Sequence, residues 1–444
     1  MNLKGLSFDN IPEFSTPFRF FVTAPVLGLL GCLLLVVPEI WISRWQPQLI
    51  AMTHLFTLGF IAMIMFGALT QILPVLAGTG LPKVDKVAPI LHVCLVLGVV
   101  LFPLNFLYPS SLVLAISLTP LLIAIGLFVT LIGWVVIKKN TGNYSIRAVR
   151  FAVFSLVVTV ITGCLQLFGY FVPDVLGSGL GKSLTNLHLT WGLLGWVTVL
   201  IMGVSFQVIP MFHVTPDFHL QIKKWLPATQ FALLVILSFS VLFQYRGFSE
   251  FVLALLGVCM VVYAIYSLRL LNNRKRKVPD TTINFWFLSF VALIASMVAF
   301  LCASFINTQW QAELQLFAVT VFIAGFVISV IFGMLIKIIP FLAYLHLQQR
   351  AMKCFQAMSA LPNMHDLLPV VYGQNLFKTY LILLPVVCLV PFLHSLSPVV
   401  GVLMIATFLQ LLFIQLKTWS AYQEAMGQIE VLIKEHGEMD LTGL

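Results

Sequence analysis

Polar residues interrupt this chain rarely and at wide intervals. Between them lie twelve apolar runs, at 20–38, 51–77, 88–108, 113–137, 150–172, 189–211, 226–244, 249–268, 283–305, 315–341, 379–397 and 399–416. Each is near the ~20 residues needed to cross a bilayer core. Lipid offers no water to backbone N–H and C=O groups, so each run must satisfy them internally as a helix. The pattern predicts an all-α polytopic membrane protein with twelve transmembrane helices. The first run follows Asp9, Glu13 and Arg19 with no small-residue cleavage site, so it is read as a retained helix and not a signal peptide.

A word recurs inside three of these runs: glycine, seven residues, glycine, six residues, proline. It stands at Gly59–Gly67–Pro74, Gly195–Gly203–Pro210 and Gly325–Gly333–Pro340. With 28 glycines and 22 prolines in 444 residues, random order supplies about 0.1 copies. Gln71, Gln207 and Lys337 share the position four residues past the second glycine. The word falls on runs 2, 6 and 10, which predicts three pseudo-symmetric four-helix repeats at 20–137, 150–268 and 283–416. A cytoplasmic segment, 1–19, precedes them and a polar, helix-prone tail, 417–444, follows and could dock a partner. Residues 342–378 form the longest inner loop, whose first half is expected to lie as an interfacial amphipathic helix. Small residues eight apart share nearly one helix face and permit close packing. A planar macrocycle needs such a face too, so Gly59, Gly67, Gly195, Gly203, Gly325 and Gly333 are read as packing or cofactor-slot positions.

Composition agrees with the lipid reading: 60% hydrophobic, 9% charged, mean hydropathy +1.05. Charge supplies orientation. Lys4, Lys83, Lys86, Lys138, Lys139, Arg147, Arg150, Lys223, Lys224 and the run Arg274-Lys275-Arg276-Lys277 fall on one side, and only Arg44, Lys182 and Arg246 on the other. The positive-inside rule then puts both termini in the cytoplasm of a bacterial inner membrane, with Lys337 snorkelling from the inner end of run 10. The net charge of +9 needs no nucleic acid to explain it, because anionic lipid attracts the same residues.

The fifteen acids, Asp280, Glu438 and Asp440 among them, all lie in loops, span ends or tails. That argues against a carboxylate-based ion pump. Seven scattered cysteines form no C-x-x-C arrangement, so neither a thiolate metal site nor covalently attached haem is expected. Histidine remains. His54 and His188 precede their repeated prolines by 20 and 22 residues, at the outer ends of runs 2 and 6, where run 10 has Ala318 and Thr320. His394 lies in a short outer turn. Neutral imidazole in an apolar slot between helices suits an axial ligand of haem iron, so His54, His188 and His394 are the candidate cofactor ligands, His54 foremost. His213 and His219 with Asp217 between them read as a solvated inner loop before a surface metal site.

Twelve helices in three arcs, a histidine at the outer end of helix 2, and Phe66-Gly67-Ala68-Leu69-Thr70-Gln71-Ile72-Leu73-Pro74 leading into Val75-Leu76-Ala77-Gly78 resemble subunit I of the haem–copper oxidases. The closer resemblance is to the NnrS family, membrane haem proteins associated with nitric oxide metabolism. His54, Gly59, Gly67 and Pro74 match that family's helix 2, and His188, Gly192, Gly195 and His213 are similar to a later segment with a histidine at each end. The departures are specific. Helix 10 lacks the oxidases' His-x-His pair and has Thr320; run 226–244 has no copper-binding histidine; Met52 stands where NnrS proteins tend to carry a second histidine.

The resemblance therefore implies b-type haem without a copper site or binuclear centre, and a redox, nitric-oxide-related or gas-sensing role beside a respiratory or electron-transfer partner. It does not imply a terminal oxidase. The alternatives are a transporter or channel for a small solute, and a cofactor-free relict acting as a partner or assembly subunit. Reporter fusions test the topology: those after Lys139 and Lys277 should report cytoplasmic, those within 172–186 external. A reversed pattern at any of them breaks the twelve-span arrangement.

Overall fold

The computed structural model describes residues 12–138, 142–171, 173–305 and 310–437, with side chains except at 170–179 and 305. Lys4, Asp9, Lys139, Glu438 and Asp440 lie outside the described residues, as do parts of the 1–19 and 417–444 segments. Every regular element among the described residues is helical. Twelve helices are long and apolar enough to cross a membrane: α1 (Ser15–Leu34), α2 (Pro47–Ala77), α3 (Val84–Leu107), α4 (Ser111–Lys138), α5 (Tyr144–Gly169), α6 (Leu180–His213), α7 (Leu220–Leu242), α8 (Arg246–Asn272), α9 (Thr281–Ser304), α10 (Gln311–Ala351), α11 (Val370–Leu389) and α12 (His394–His436). This is a multi-pass membrane fold.

Nine helices form a closed ring, each in contact with the next: α1, α3, α4, α5, α7, α8, α9, α11, α12 and back to α1. The other three lie inside it. In their most apolar stretches α2, α6 and α10 are 89, 78 and 78% buried, against 28–56% for the nine. Exposed Leu97, Ile116, Phe154, Phe239, Phe251 and Phe413 clothe the ring's outer surface, where lipid tails solvate them without cost. Inside, Phe60 of α2, Phe332 of α10 and Phe408 of α12 meet at centroid distances of 4.9–5.9 Å. Phe66 of α2 stacks on Phe128 of α4 at 3.6 Å, with Trp196 of α6 edge-on to both. The edge-on pairs add to the packing beyond their buried area.

The repeated glycines face the helix that precedes their own. A Cβ on Gly67, Gly203 or Gly333 would lie 2.6–2.7 Å from the Cβ of Phe20 on α1, Ala148 on α5 or Phe285 on α9. On Gly59, Gly195 or Gly325 it would lie 2.6–3.0 Å from Leu27, Ser155 or Ala292. The glycines are eight residues apart but their partners are seven apart. The backbone explains the mismatch. Leu55–Ala62, Trp191–Val197 and Val321–Ile328 are π-helical, and an i→i+5 turn holds one residue more than an α-turn. Eight residues on the inner helix thus advance as far as seven on its neighbour. Hydroxyls bond carbonyls of the widened turns: Thr198 Oγ1 donates to Leu193 O at 2.7 Å and the Tyr380 hydroxyl to Ala324 O.

Three expectations shift. Residues 342–351 do not leave α10 for an interfacial helix but continue it to Ala351, with the His346 ring nitrogens 3.0 Å from Leu342 O and Pro12 O. The eleventh helix runs Val370–Leu389 and not 379–397. Pro391 has no N–H with which to extend the ladder, so the apolar stretch after Leu389 becomes a turn, while Tyr372, Gln374 and Lys378 enter the helix. The tail does not separate from the bundle at residue 417, since α12 continues unbroken to His436. At the other end of α6, Val214 closes the helix at φ +51°, a left-handed conformation that costs a non-glycine residue about 1–2 kcal/mol.

Gly67→Ala, Gly203→Ala and Gly333→Ala should each destabilise the detergent-purified protein by about 1–3 kcal/mol through overpacking. Gly126→Ala on α4, where a Cβ meets nothing within 4 Å, should be neutral or gain up to about 1 kcal/mol from helix propensity. Thermal unfolding reads both. Equal behaviour at Gly67 and Gly126 would show that the glycine contacts do not hold the helices together.

Candidate functional site

α2 begins at Pro47, whose missing N–H costs nothing in a first helical turn. Thr53 and Thr57 return their hydroxyls to Leu49 O and Thr53 O at 2.7 Å each, so the lipid-depth polar groups beside His54 are satisfied locally. The His54 Nδ1 lies 2.8 Å from Ile50 O. A carbonyl only accepts, so Nδ1 carries the proton and the lone pair of the neutral ring is on Nε2. Phe106 of α3 stacks on the ring at 5.2 Å, and Phe102 meets it edge-on at 5.3 Å.

His188 repeats this chemistry from α6. Its Nδ1 donates to Thr159 O of α5 at 2.9 Å, again leaving the lone pair on Nε2. One turn beyond Thr159, a Cβ on Gly163 would come within 2.9 Å of the imidazole Cε1. Only glycine at 163 leaves room for the ring there. The two histidines face each other, with centroids 6.3 Å apart and planes inclined by 29°. Arg44 Nη2 to Asn186 Oδ1, at 3.0 Å, ties the α1–α2 connection to α6 two residues before His188.

The structure therefore brings together His54 and His188. It does not bring in His394, whose Nε2 bonds Pro391 O of its own turn at 3.2 Å, and no ring contact joins it to the pair among the described residues. Gly59, Gly67, Gly195, Gly203, Gly325 and Gly333 lie against neighbouring helices as described above. Gly163 and the anchoring carbonyls of Ile50 and Thr159 were not legible in the sequence, because a glycine four residues from a threonine has meaning only once a ring lies over both. Among the described residues no group of three His, Cys, Asp or Glu side chains could hold a metal ion. His219 instead caps α7, accepting from Gln221 N at 3.3 Å.

A second polar group lies at the opposite, basic face. Lys337 does not merely snorkel: its Nζ donates to Asp280 Oδ2 at 2.9 Å. The other carboxylate oxygen of Asp280 accepts from Thr282 N at 2.9 Å, capping α9. Burial opposes ionisation of Asp280, but the Lys337 ammonium and the Thr282 N–H outweigh it and hold the carboxyl below its ordinary value.

No family model matches this chain, and no curated protein matches it. The functional reading rests on the fold and on these two groups.

A depressed carboxyl pKa contributes stability that is present above the unfolded-state value and lost as pH falls through the folded one. Unfolding midpoints of wild type should therefore fall on acidification below the ordinary aspartate range of about pH 4 by more than those of Asp280→Asn. At neutral pH the variant, left with an uncompensated Lys337, should be less stable by about 1–3 kcal/mol. Parallel pH profiles would show that the pair contributes nothing.

Proposed function

We propose that this chain is a b-type-haem-binding membrane protein of the haem–copper oxidase and NnrS kind, in which His54 and His188 would hold the haem. The observation that carries this reading is the facing pair itself: two imidazoles, each anchored through Nδ1 to a main-chain carbonyl, each with its lone pair on Nε2. Two protein donors alone make a poor site for a bare metal ion, and no third ligand lies near them among the described residues. They suit a metal that brings its other ligands with it, as porphyrin iron does. The ring centroids are 6.3 Å apart, close enough for both imidazoles to belong to one site.

A haem bound there would supply one-electron redox chemistry at iron. The protein's own part is orientation and exclusion. Ile50 O and Thr159 O fix tautomer and ring angle and raise the basicity of each Nε2. Phe106 covers one face of the His54 ring and Phe102 meets it edge-on. Held by two histidines, such a group would serve electron transfer or redox response, including nitric-oxide-related or stress roles, and not oxygen reduction. Thr320 in α10 and the absence of histidine from α7 support that exclusion. The aromatic contacts that fill the space between α2, α10 and α12 favour this reading over a solute-conducting pore.

The wider arrangement belongs to the same proposal. Repeats 1, 2 and 3 are related by rotations of about 120° around the bundle axis, which the ring order and the matched glycine contacts support. The membrane is a bacterial inner membrane with both termini cytoplasmic, which the basic loops support, so the histidine pair lies at the external face and an electron-transfer partner approaches from there.

The test is an absorption spectrum with a pyridine haemochrome assay on protein from haem-replete cells. Wild type and His394→Ala should carry haem b, and His54→Ala and His188→Ala should each lose it or change its spin state. No haem in wild type, or unchanged haem in all three variants, would overturn the reading in favour of a solute transporter or a cofactor-free partner subunit.

A further inference from the structure

At the basic face, the end of α6, the segment joining α8 to α9, the inner half of α10 and the start of α11 enclose a cleft of ≈ 180 Å³. One feature there demands a partner. His213 is 3% exposed and lines the cleft, and neither of its ring nitrogens makes a hydrogen bond. A buried polar group without a partner is costly. Asp280 does not fill the role, because its nearest oxygen is 3.9 Å away and both its oxygens are engaged by Lys337 and Thr282 N.

We propose that this cleft binds a phosphate-bearing ligand through His213, Lys337 and Arg276. Sign comes first. Among the lining residues Lys337 and Arg276 oppose the single acid Asp280, leaving one net positive charge with His213 and His365 both neutral. Asp280 is already neutralised by its lysine, so it does not offer a cation a free carboxylate. Arg274, in the same connecting segment but outside the cleft lining, also has a buried donor without a partner, its Nε. Geometry comes second. A phosphate presents several oxygens at once, so it can accept from an ammonium, a guanidinium and an imidazole together. Lys337 can bond it while keeping Asp280, since an ammonium has three donors.

The rest of the lining identifies the remainder of the ligand. Phe212, Val278, Ile336, Pro340 and Leu368 give the cleft an apolar share of its lining, which suits a phosphate with a hydrocarbon or other apolar body. A lipid headgroup in the adjoining leaflet and a soluble phosphate ester share this chemistry, and basic pockets between helices at a membrane face are suited to such headgroups. The repeat sharpens the assignment. Gln71 and Gln207 occupy the register of Lys337 on the other two inner helices, so the cation, and with it the site, belongs to the third. The proposal stands apart from the haem reading and survives its failure.

The experiment uses the full chain in a neutral detergent and follows its thermal unfolding midpoint. One arm titrates inorganic phosphate against sodium chloride of matched ionic strength. The other titrates short-chain phosphatidylglycerol against phosphatidylcholine. A saturable rise with phosphate assigns a soluble ligand, and a rise with phosphatidylglycerol alone assigns a lipid headgroup. Arg276→Gln and His213→Gln should each raise the half-saturating concentration about tenfold or more, as expected for one lost charge-assisted hydrogen bond. Lys86→Gln, an exposed change on the same face outside the cleft, should leave it unchanged. Arg276 is exposed on a connecting segment, so its variant keeps the test intact if His213→Gln fails to fold. Midpoints that move no further than the sodium chloride and phosphatidylcholine controls, or an equal response in Arg276→Gln and Lys86→Gln, would overturn the proposal.

Discussion

Helices in lipid gain nothing from the hydrophobic effect when they meet, so association rests on dispersion, which fades within a fraction of an ångström of gap. Close approach at the six glycines is the constraint on which this bundle depends. A methyl group at any of them would stand within 3.0 Å of a side-chain atom on the neighbouring helix. The neighbours could respond only by moving α2, α6 or α10 away from α1, α5 or α9. The π-turns keep both glycine contacts of each helix in register despite the unequal spacing. His54 immediately precedes one such turn and His188 lies three residues before another, so the distance between the rings is set by the same packing. The third turn follows Thr320 and has no histidine, which identifies the turns as packing devices first.

The twelve helices were legible because lipid enforces one rule, a long apolar run, at every span. Helix ends were not, since helices outlast their apolar stretches: α10 carries Gln348, Gln349 and Arg350 as helix, and α12 extends some twenty residues beyond Phe413. Hydropathy marks where lipid stops, not where the backbone ladder stops. Of the histidine group, His54 and His188 could be read from their depth in matched runs. Their anchors could not, because Ile50 and Thr159 act through carbonyls that every residue possesses. Lys337 and Asp280 were each visible, one as a span-end cation and the other as a loop acid. Their pairing joins residues 57 apart in sequence and required the α9–α10 interface to be known.

The two faces divide the chemistry. One presents imidazoles flanked by aromatic rings and held by neutral carbonyls. The other presents ammonium, guanidinium and carboxylate groups around a buried imidazole. Both groups draw on α6, which carries His188 near one end and His213 at the other. Twenty-five residues separate them, about 37 Å at the α-helical rise, so the helix itself holds the two at fixed separation across the bilayer.

The 40 residues of Ser397–His436 make an unbroken rod of about 60 Å, twice the hydrocarbon thickness. Roughly half of it therefore stands clear of the bilayer. It is braced there: Arg350, at the extended end of α10, grips Glu430 with two nitrogens, Nη2 at 2.9 Å from Oε2 and Nε on Oε1. Ala425, Ile429 and Ile433 are buried on the same stretch of α12, so the end of the rod is packed on the chain's own elements as well as bridged to α10. A displacement of its tip is therefore shared with the extension of an inner helix.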